Sequence, residues 1–267
     1  MSQPPERRRV VLATRNEHKV SELRAILAPV LDEVFLDLVG ADGLPHAPEI
    51  AETEVSFEGN ARLKAVALAE ATGLPALADD SGLAVDVLGG CPGVFSARWS
   101  GSLGGADLPR AQRDALNLRL LLDQLAEVPA EHRGAAFVCS AVLALPGGEV
   151  VATEGRIDGI LADEPLGDNG FGYDPIFVPL GQTRTFAQYT EVDKNAVSHR
   201  GRAFGALAEH IGAVGKLPVL DLFHWHGPAA PTDVSSAPVV AHLEQAIELD
   251  TAAARELPPG PVLLCAT

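Results

Sequence analysis

The chain has 267 residues, 47% of them hydrophobic and 21% charged, and a formal net charge of −16. That composition builds a globular protein with a substantial core, while the acidic balance opposes nucleic acid and anionic membranes at long range. No apolar run approaches the roughly 20 residues that span a bilayer, and three cysteines without paired spacing (Cys91, Cys139, Cys265) argue against a disulfide framework or a zinc cluster.

After the basic start at Arg7, Arg8 and Arg9, only Val10 to Ala13 precede Thr14, too short for a signal-peptide apolar region. The cytoplasm is the expected location. Val10 to Ala13 reads as a buried strand and Thr14-Arg15-Asn16 as the turn after it. Val20, Leu23, Ile26 and Leu27 then follow helical spacing from Glu17 to Leu27, with Asn16 as N-cap. A second strand is expected over Glu33 to Val39, a loop over Gly40 to Thr53, and a helix over Asn60 to Thr72 stopped by Gly73.

Pro75 to Ala78 reads as a short strand leading into Asp79-Asp80-Ser81-Gly82, with Leu83 to Leu88 again extended. Pro109 to Val128 is the longest predicted helix, with Leu116, Leu120, Leu121 and Leu125 along one side. Ala135 to Leu145 and Glu149 to Ile160, joined by Gly147-Gly148, predict a hairpin. A glycine-rich loop (Gly167 to Pro175), a strand (Ile176 to Val178) and a helix (Ser198 to Ile211) follow. Past Lys216 four prolines interrupt the chain before a helical pattern from Val239 to Glu256, so residues 217–267 read as an appendage to a main domain over 9–216. Strands alternating with helices, plus one hairpin, predict an α/β fold with a mixed sheet.

Four segments carry chemistry. Thr14-Arg15-Asn16-Glu17-His18-Lys19 places backbone amides, a hydroxyl and an ammonium at a helix start, which suits phosphate; it is not a Walker loop, and a capped helix with a solvated lysine is the plain alternative. Asp79-Asp80-Ser81-Gly82 puts two acids at a strand end, hard oxygen ligands of the kind that suit Mg²⁺, or else an acidic turn. Gly170-Phe171-Gly172-Tyr173-Asp174 offers an aromatic face between glycines. Lys194, His199 and Arg200 gather positive charge in an acidic chain, or simply flank a helix capped by Ser198. Lysine occurs at only four positions, and Lys19, Lys64 and Lys194 all fall in such segments.

In order and spacing these segments resemble the inosine-triphosphate pyrophosphatase (Ham1-like) family over about residues 9 to 212. The likeness includes Ser56-Phe57, Asn60-Ala61 and Lys64-Ala65, then Pro92-Gly93, Ser96-Ala97-Arg98 and Ser198-His199-Arg200-Gly201. The resemblance implies an elongated mixed sheet with flanking helices, two lobes around a central cleft, and a homodimer. It implies hydrolysis of non-canonical purine triphosphates (ITP, dITP, XTP) to monophosphate and pyrophosphate. By the same likeness Thr14, Arg15, Asn16, Glu17, His18, Lys19 and Lys64 hold the triphosphate. Glu52 and Asp80 bind Mg²⁺, and Asp80 is also the base for water. Ser81, Phe171, Gly172, Tyr173, Asp174, Lys194, His199 and Arg200 complete the nucleotide pocket, with the purine 6-oxygen accepting from Arg200 or His199. Three positions depart from the family pattern: Arg15 and Glu54 stand where glycine is common, and Gly59 where an acid is. A pyrophosphatase for pyrimidine or standard triphosphates and a non-catalytic nucleotide sensor are the competing readings.

Overall fold

The computed structural model describes residues 7–44, 47–105 and 107–216. The appendage read at 217–267, with its helix at Val239 to Glu256, lies outside the described residues.

Strand β1 (Arg8–Leu12) leads into helix α1 (Glu17–Glu33). Asn16 caps that helix as expected, its side chain accepting the His18 N–H at 3.2 Å. The helix outruns its predicted end at Leu27 and passes through Pro29. Proline there forfeits one intrahelical bond, but Leu31 and Val34 beyond it are buried in the core, and that packing outweighs the loss. The next strand, β2 (Leu36–Gly40), therefore begins three residues later than expected. Helix α2 (Phe57–Thr72) starts before Asn60 because Ser56 accepts the Gly59 N–H at 3.0 Å, and Gly73 ends it in the left-handed conformation.

Strand β3 (Ala76–Val85) corrects the reading of Asp79-Asp80-Ser81-Gly82 as the turn after a strand: the four residues lie inside one continuous strand. They pair in register with strand β4 (Gly134–Ala144), with Asp79 opposite Ala141, Asp80 opposite Ser140 and Ser81 opposite Cys139. Successive side chains of a strand point to opposite faces, so Asp79 and Ser81 share one face and Asp80 the other. Helix α3 (Arg110–Gln124) follows, and its buried stripe is Leu118 and Leu121, continued by Leu125, rather than the one through Leu116 and Leu120. The hairpin of β4 and β5 (Val150–Leu161) forms as predicted. After it come strand β6 (Phe177–Pro179) and helices α4 (Glu191–Val197) and α5 (His199–Lys216).

The sheet order is β2-β1-β3-β4-β5-β6, parallel among β2, β1 and β3 and antiparallel from there on. Helices α1 and α5 cover one face of the β1–β4 half with Leu23, Leu27, Phe204 and Leu207, and α2 covers the other with Ala61, Ala65 and Leu68. A separate core joins the far ends of β3 and β4 to α3 and to the aromatic cluster of Phe137, Phe177, Phe186 and Tyr189. On β3, Ala78 belongs to the α2-facing core and Leu83 to this separate one. The polar residues 79–82 thus occupy the seam between cores, where a strand can carry charge without interrupting apolar packing.

Candidate active site

The seam opens into a cavity of about 480 Å³. Thr14, Arg15, Asn16 and Lys19 border it from the end of β1 and the start of α1, Glu52 and Lys64 from beside and on α2, and Asp79, Asp80 and Ser81 from β3. Phe171, Gly172, Tyr173, Asp174, His199 and Arg200 close it.

On one face of β3, Lys19 Nζ meets Asp79 Oδ2 at 2.8 Å, Ser81 Oγ donates to the same oxygen at 3.1 Å, and Arg200 Nε lies 3.5 Å away. Burial pushes Asp79 up, but Lys19, Arg200 and Lys64 outweigh it and hold the carboxyl well below its usual range. On the other face, Asn60 Nδ2 donates to Asp80 Oδ2 at 3.1 Å and Lys64 Nζ reaches Oδ1 at 3.4 Å. Asn60 and Lys64 stand one turn apart on α2 and so share a face. Burial and the neighbouring Glu52 charge raise Asp80 from its ordinary value, against the pull of Lys64 and Lys19. Two adjacent acids are thereby driven in opposite directions: Asp79 is a fixed anion, and Asp80 is a carboxylate with enhanced affinity for a proton.

Lys64 also binds Glu52 Oε1 at 3.1 Å, while Arg98 Nη1 holds Oε2 at 2.8 Å. One ammonium therefore bridges Glu52 and Asp80. Burial would raise Glu52, yet Lys64 and Arg98 prevail and lower it. Among the described residues no three acidic, histidine or cysteine side chains form a ready-made metal cage. The oxygen pair of Glu52 and Asp80 around a cation suits a hard divalent ion that keeps several waters.

The third cluster is centred on Arg200. Its Nη2 donates to Ser81 Oγ at 2.8 Å and its Nη1 to Glu22 Oε2 at 3.1 Å. Lys194 Nζ bonds Asp174 Oδ2 at 2.8 Å and lies 3.5 Å from Glu22 Oε1. Ser198 does cap the helix, accepting the Gly201 N–H at 3.0 Å, but the cations beside it are buried rather than solvated. His199 stacks on Phe137 with centroids 4.7 Å apart. Burial, then Arg200 and Lys194, keep its imidazole well below the usual range and therefore neutral. Its Nδ1 is buried and makes no hydrogen bond.

Some expected residues sit outside this cavity. His18 stacks on Phe171 at 5.8 Å and borders an adjoining cavity of about 1190 Å³. Lys194 lies behind the Phe171 ring, 5.0 Å from its centroid, with Arg200 at 5.1 Å. Glu17 is the first residue of α1. Arg15 keeps a negative φ and pairs loosely with Asp42 and Glu49, each at 3.7 Å. The other two departures compensate each other: a Cβ at Gly59 would lie 2.7 Å from the Glu54 Cβ, so glycine makes room for Glu54. Glu22, Asn60 and Arg98 were absent from the expected site; the i, i+3 spacing of Lys19 and Glu22 and the i, i+4 spacing of Asn60 and Lys64 are the signals that point to two of them.

Residues 10–210 match the model of the Ham1 family. A dITP/XTP pyrophosphatase of Streptomyces coelicolor is 57% identical over 199 residues, 74% of this chain and 94% of that protein. One of Frankia alni is 55% identical over 200 residues, 75% of this chain and 95% of that protein. Among solved structures, a nucleoside-triphosphatase, dITP/XTP pyrophosphatase, of Mycobacterium abscessus is 50% identical with a TM-score of 0.59, over 74% of this chain and 98% of that one. The Staphylococcus aureus Ham1 protein is 33% identical with a TM-score of 0.65, over 78% and 100%. In sequence and in fold, this chain belongs to the Ham1 family.

Proposed function

We propose that the chain hydrolyses non-canonical purine nucleoside triphosphates, ITP, dITP and XTP, to the monophosphate and pyrophosphate, and so cleanses the nucleotide pool. The relatives named as dITP/XTP pyrophosphatases support the substrate class. The observation that carries the chemistry is the placement of two neighbouring acids on opposite faces of β3, Asp79 enclosed by Lys19, Ser81 and Arg200, and Asp80 held by Asn60 and by the Lys64 that also binds Glu52.

Glu52 and Asp80 would hold Mg²⁺, which when bound supplies charge neutralisation on phosphate oxygens. Thr14, Arg15, Asn16 and Lys19 receive the triphosphate at the start of α1, and Lys64 supports it from α2. Asp80 takes a proton from a water whose oxygen bonds the α-phosphorus, as the bond to the bridging oxygen breaks and pyrophosphate departs. Lys19 and Lys64 offset the charge that accumulates, while Lys194, paired with Asp174 and Glu22, supports the Phe171 loop from behind. Ser81, Phe171, Gly172, Tyr173, Asp174, His199 and Arg200 frame the base and sugar. Adenine sets an amino donor at carbon 6 against the donors of His199 or Arg200, where hypoxanthine and xanthine set an accepting oxygen, a costly mismatch in a buried site.

The pyrophosphatase domain spans residues 9–216, supported by the family match to 10–210. A homodimer belongs to the same reading, as membership of the Ham1 family implies. A cytoplasmic location suits an enzyme whose substrates are the cell's triphosphates, and no helix among the described residues is long and apolar enough to cross a membrane. Hydrolysis of ITP in heavy-oxygen water, with and without Mg²⁺, tests the reaction. Label in inosine monophosphate is expected; label in pyrophosphate, or stepwise release of orthophosphate, would overturn it.

A further inference from the structure

The Tyr173 side chain is buried, and its hydroxyl donates to the Ser96 carbonyl at 2.9 Å, 77 positions earlier in the chain. Ser96 lies in a short 3₁₀ turn, Gly93–Arg98, between β3 and α3. Asn117 Nδ2 of α3 donates to the same carbonyl at 3.3 Å, and Asn117 Oδ1 accepts the Ser100 N–H at 2.7 Å. Ser96 Oγ accepts the Leu83 N–H of β3 at 2.9 Å and donates to the Gly93 carbonyl at 2.6 Å. The strand passes so close that a Cβ at Gly82 would run into that carbonyl and the Ser96 hydroxyl. The turn is thus seated on β3 just beyond Asp80 and Ser81. Within residues 170–174 the other bonds are local: the Phe171 N–H bonds Asp174 Oδ2 at 2.8 Å, and the Asp174 N–H bonds the Phe171 carbonyl at 3.2 Å. The Tyr173 hydroxyl instead joins this loop, through the Ser96 turn, to the strand that carries Asp80.

We propose that Tyr173 is a positioning residue whose hydroxyl fixes the Phe171 loop relative to β3, and so aligns the base end of the nucleotide with the phosphate end. This rests on the reading of the cavity as a nucleotide site. The hydroxyl is engaged by Ser96, so its influence on the nucleotide passes through the loop. A loop released from β3 spends part of its time out of line with the phosphate site, and apparent affinity for a ligand that needs both ends falls by that fraction. A ligand that occupies only the phosphate end is spared.

The test is Tyr173→Phe in the full chain. The ring keeps its place in the apolar core around α3, and Asn117 keeps the Ser96 carbonyl paired, so the variant folds. Hydrogen exchange at the Phe171 and Asp174 amides should speed by about tenfold, the scale of one buried hydrogen bond. In calorimetry, inosine monophosphate should bind about fivefold more weakly, while pyrophosphate keeps its affinity within about twofold. KM for ITP should rise together with the dissociation constant of the monophosphate. Unchanged exchange overturns the tether, whatever the protein hydrolyses. Equal weakening of both ligands, or of neither, overturns the assignment to alignment. A wild-type protein that neither binds inosine monophosphate nor turns over a triphosphate overturns the proposed function, while the exchange readout still reads the tether.

Discussion

Lys19 and Asp79 meet at 2.8 Å, with the Asp79 side chain wholly enclosed. This pair ties the first turn of α1 to the middle of the central strand and holds Asp79 ionised in a site that would otherwise protonate it. Replacing Lys19 by alanine leaves the carboxylate with Arg200 and Ser81 alone. A loss of about 2–4 kcal/mol in urea unfolding is expected, together with a marked rise in KM for ITP. Lys19→Arg should restore little, since a planar fork does not reproduce a point charge in that space. Wild-type stability in Lys19→Ala would contradict the pairing.

Asp80 behaves oppositely. A folded-state pKa raised above the unfolded value means that ionised Asp80 costs stability, a cost absent at low pH and incurred as pH rises through the carboxylate range. Asp80→Asn removes that cost while abolishing the proton acceptor. Turnover of ITP should fall by at least about a hundredfold, with a melting temperature equal to or above that of wild type. A destabilised variant with near-normal turnover would contradict both statements.

His199 predicts a second pH effect in a separate window. It is neutral when folded because its pKa is depressed, whereas the unfolded chain takes up a proton below about pH 6.5. Stability should therefore fall as pH drops from about 7 to 5, with a limiting slope of about 1.4 kcal/mol per pH unit from this group. The Asp79 contribution, whose folded pKa is also depressed, is lost only at lower pH, below about 4. His199→Gln should flatten the upper limb in urea unfolding across that range and leave the lower one. An unchanged upper limb would contradict the assignment.

Gly155 lets α5 lie directly on β5: a Cβ there would run into the His199 carbonyl and the Ala203 amide. Because the obstacle is backbone, Gly155→Ala has to move the first turn of α5. A loss of about 1–3 kcal/mol is expected, with reduced turnover because His199 and Arg200 ride on that turn. A crystal structure of the variant with α5 undisplaced would count against this.

What the sequence disclosed and what it concealed divide along the range of the interactions. Asn16, Ser198 and Gly73 act on neighbours a few residues away, and their roles as caps and stop are readable from local chemistry. The hairpin is readable for the same reason. Pro29 misleads because the burial of Leu31 and Val34 that rescues the helix is tertiary. Residues 79–82 mislead because their polar character imitates a turn, and the cations that let a strand carry them come from α1, α2 and α5. Glu22 escapes notice because its partners Lys194 and Arg200 lie far along the chain. The exchange between Gly59 and Glu54 appears only once the two are seen in contact.

The account turns on selective hydrolysis at the α-phosphorus, and the most direct measurement is kcat/KM for pyrophosphate release from ITP, dITP, XTP, GTP, ATP and dTTP under one Mg²⁺ concentration. One of the first three should exceed ATP and dTTP by at least about a hundredfold, with one monophosphate formed per pyrophosphate. Comparable values for ATP or dTTP would contradict the assignment to non-canonical purines, and nucleotide binding without pyrophosphate release would show a sensor rather than an enzyme.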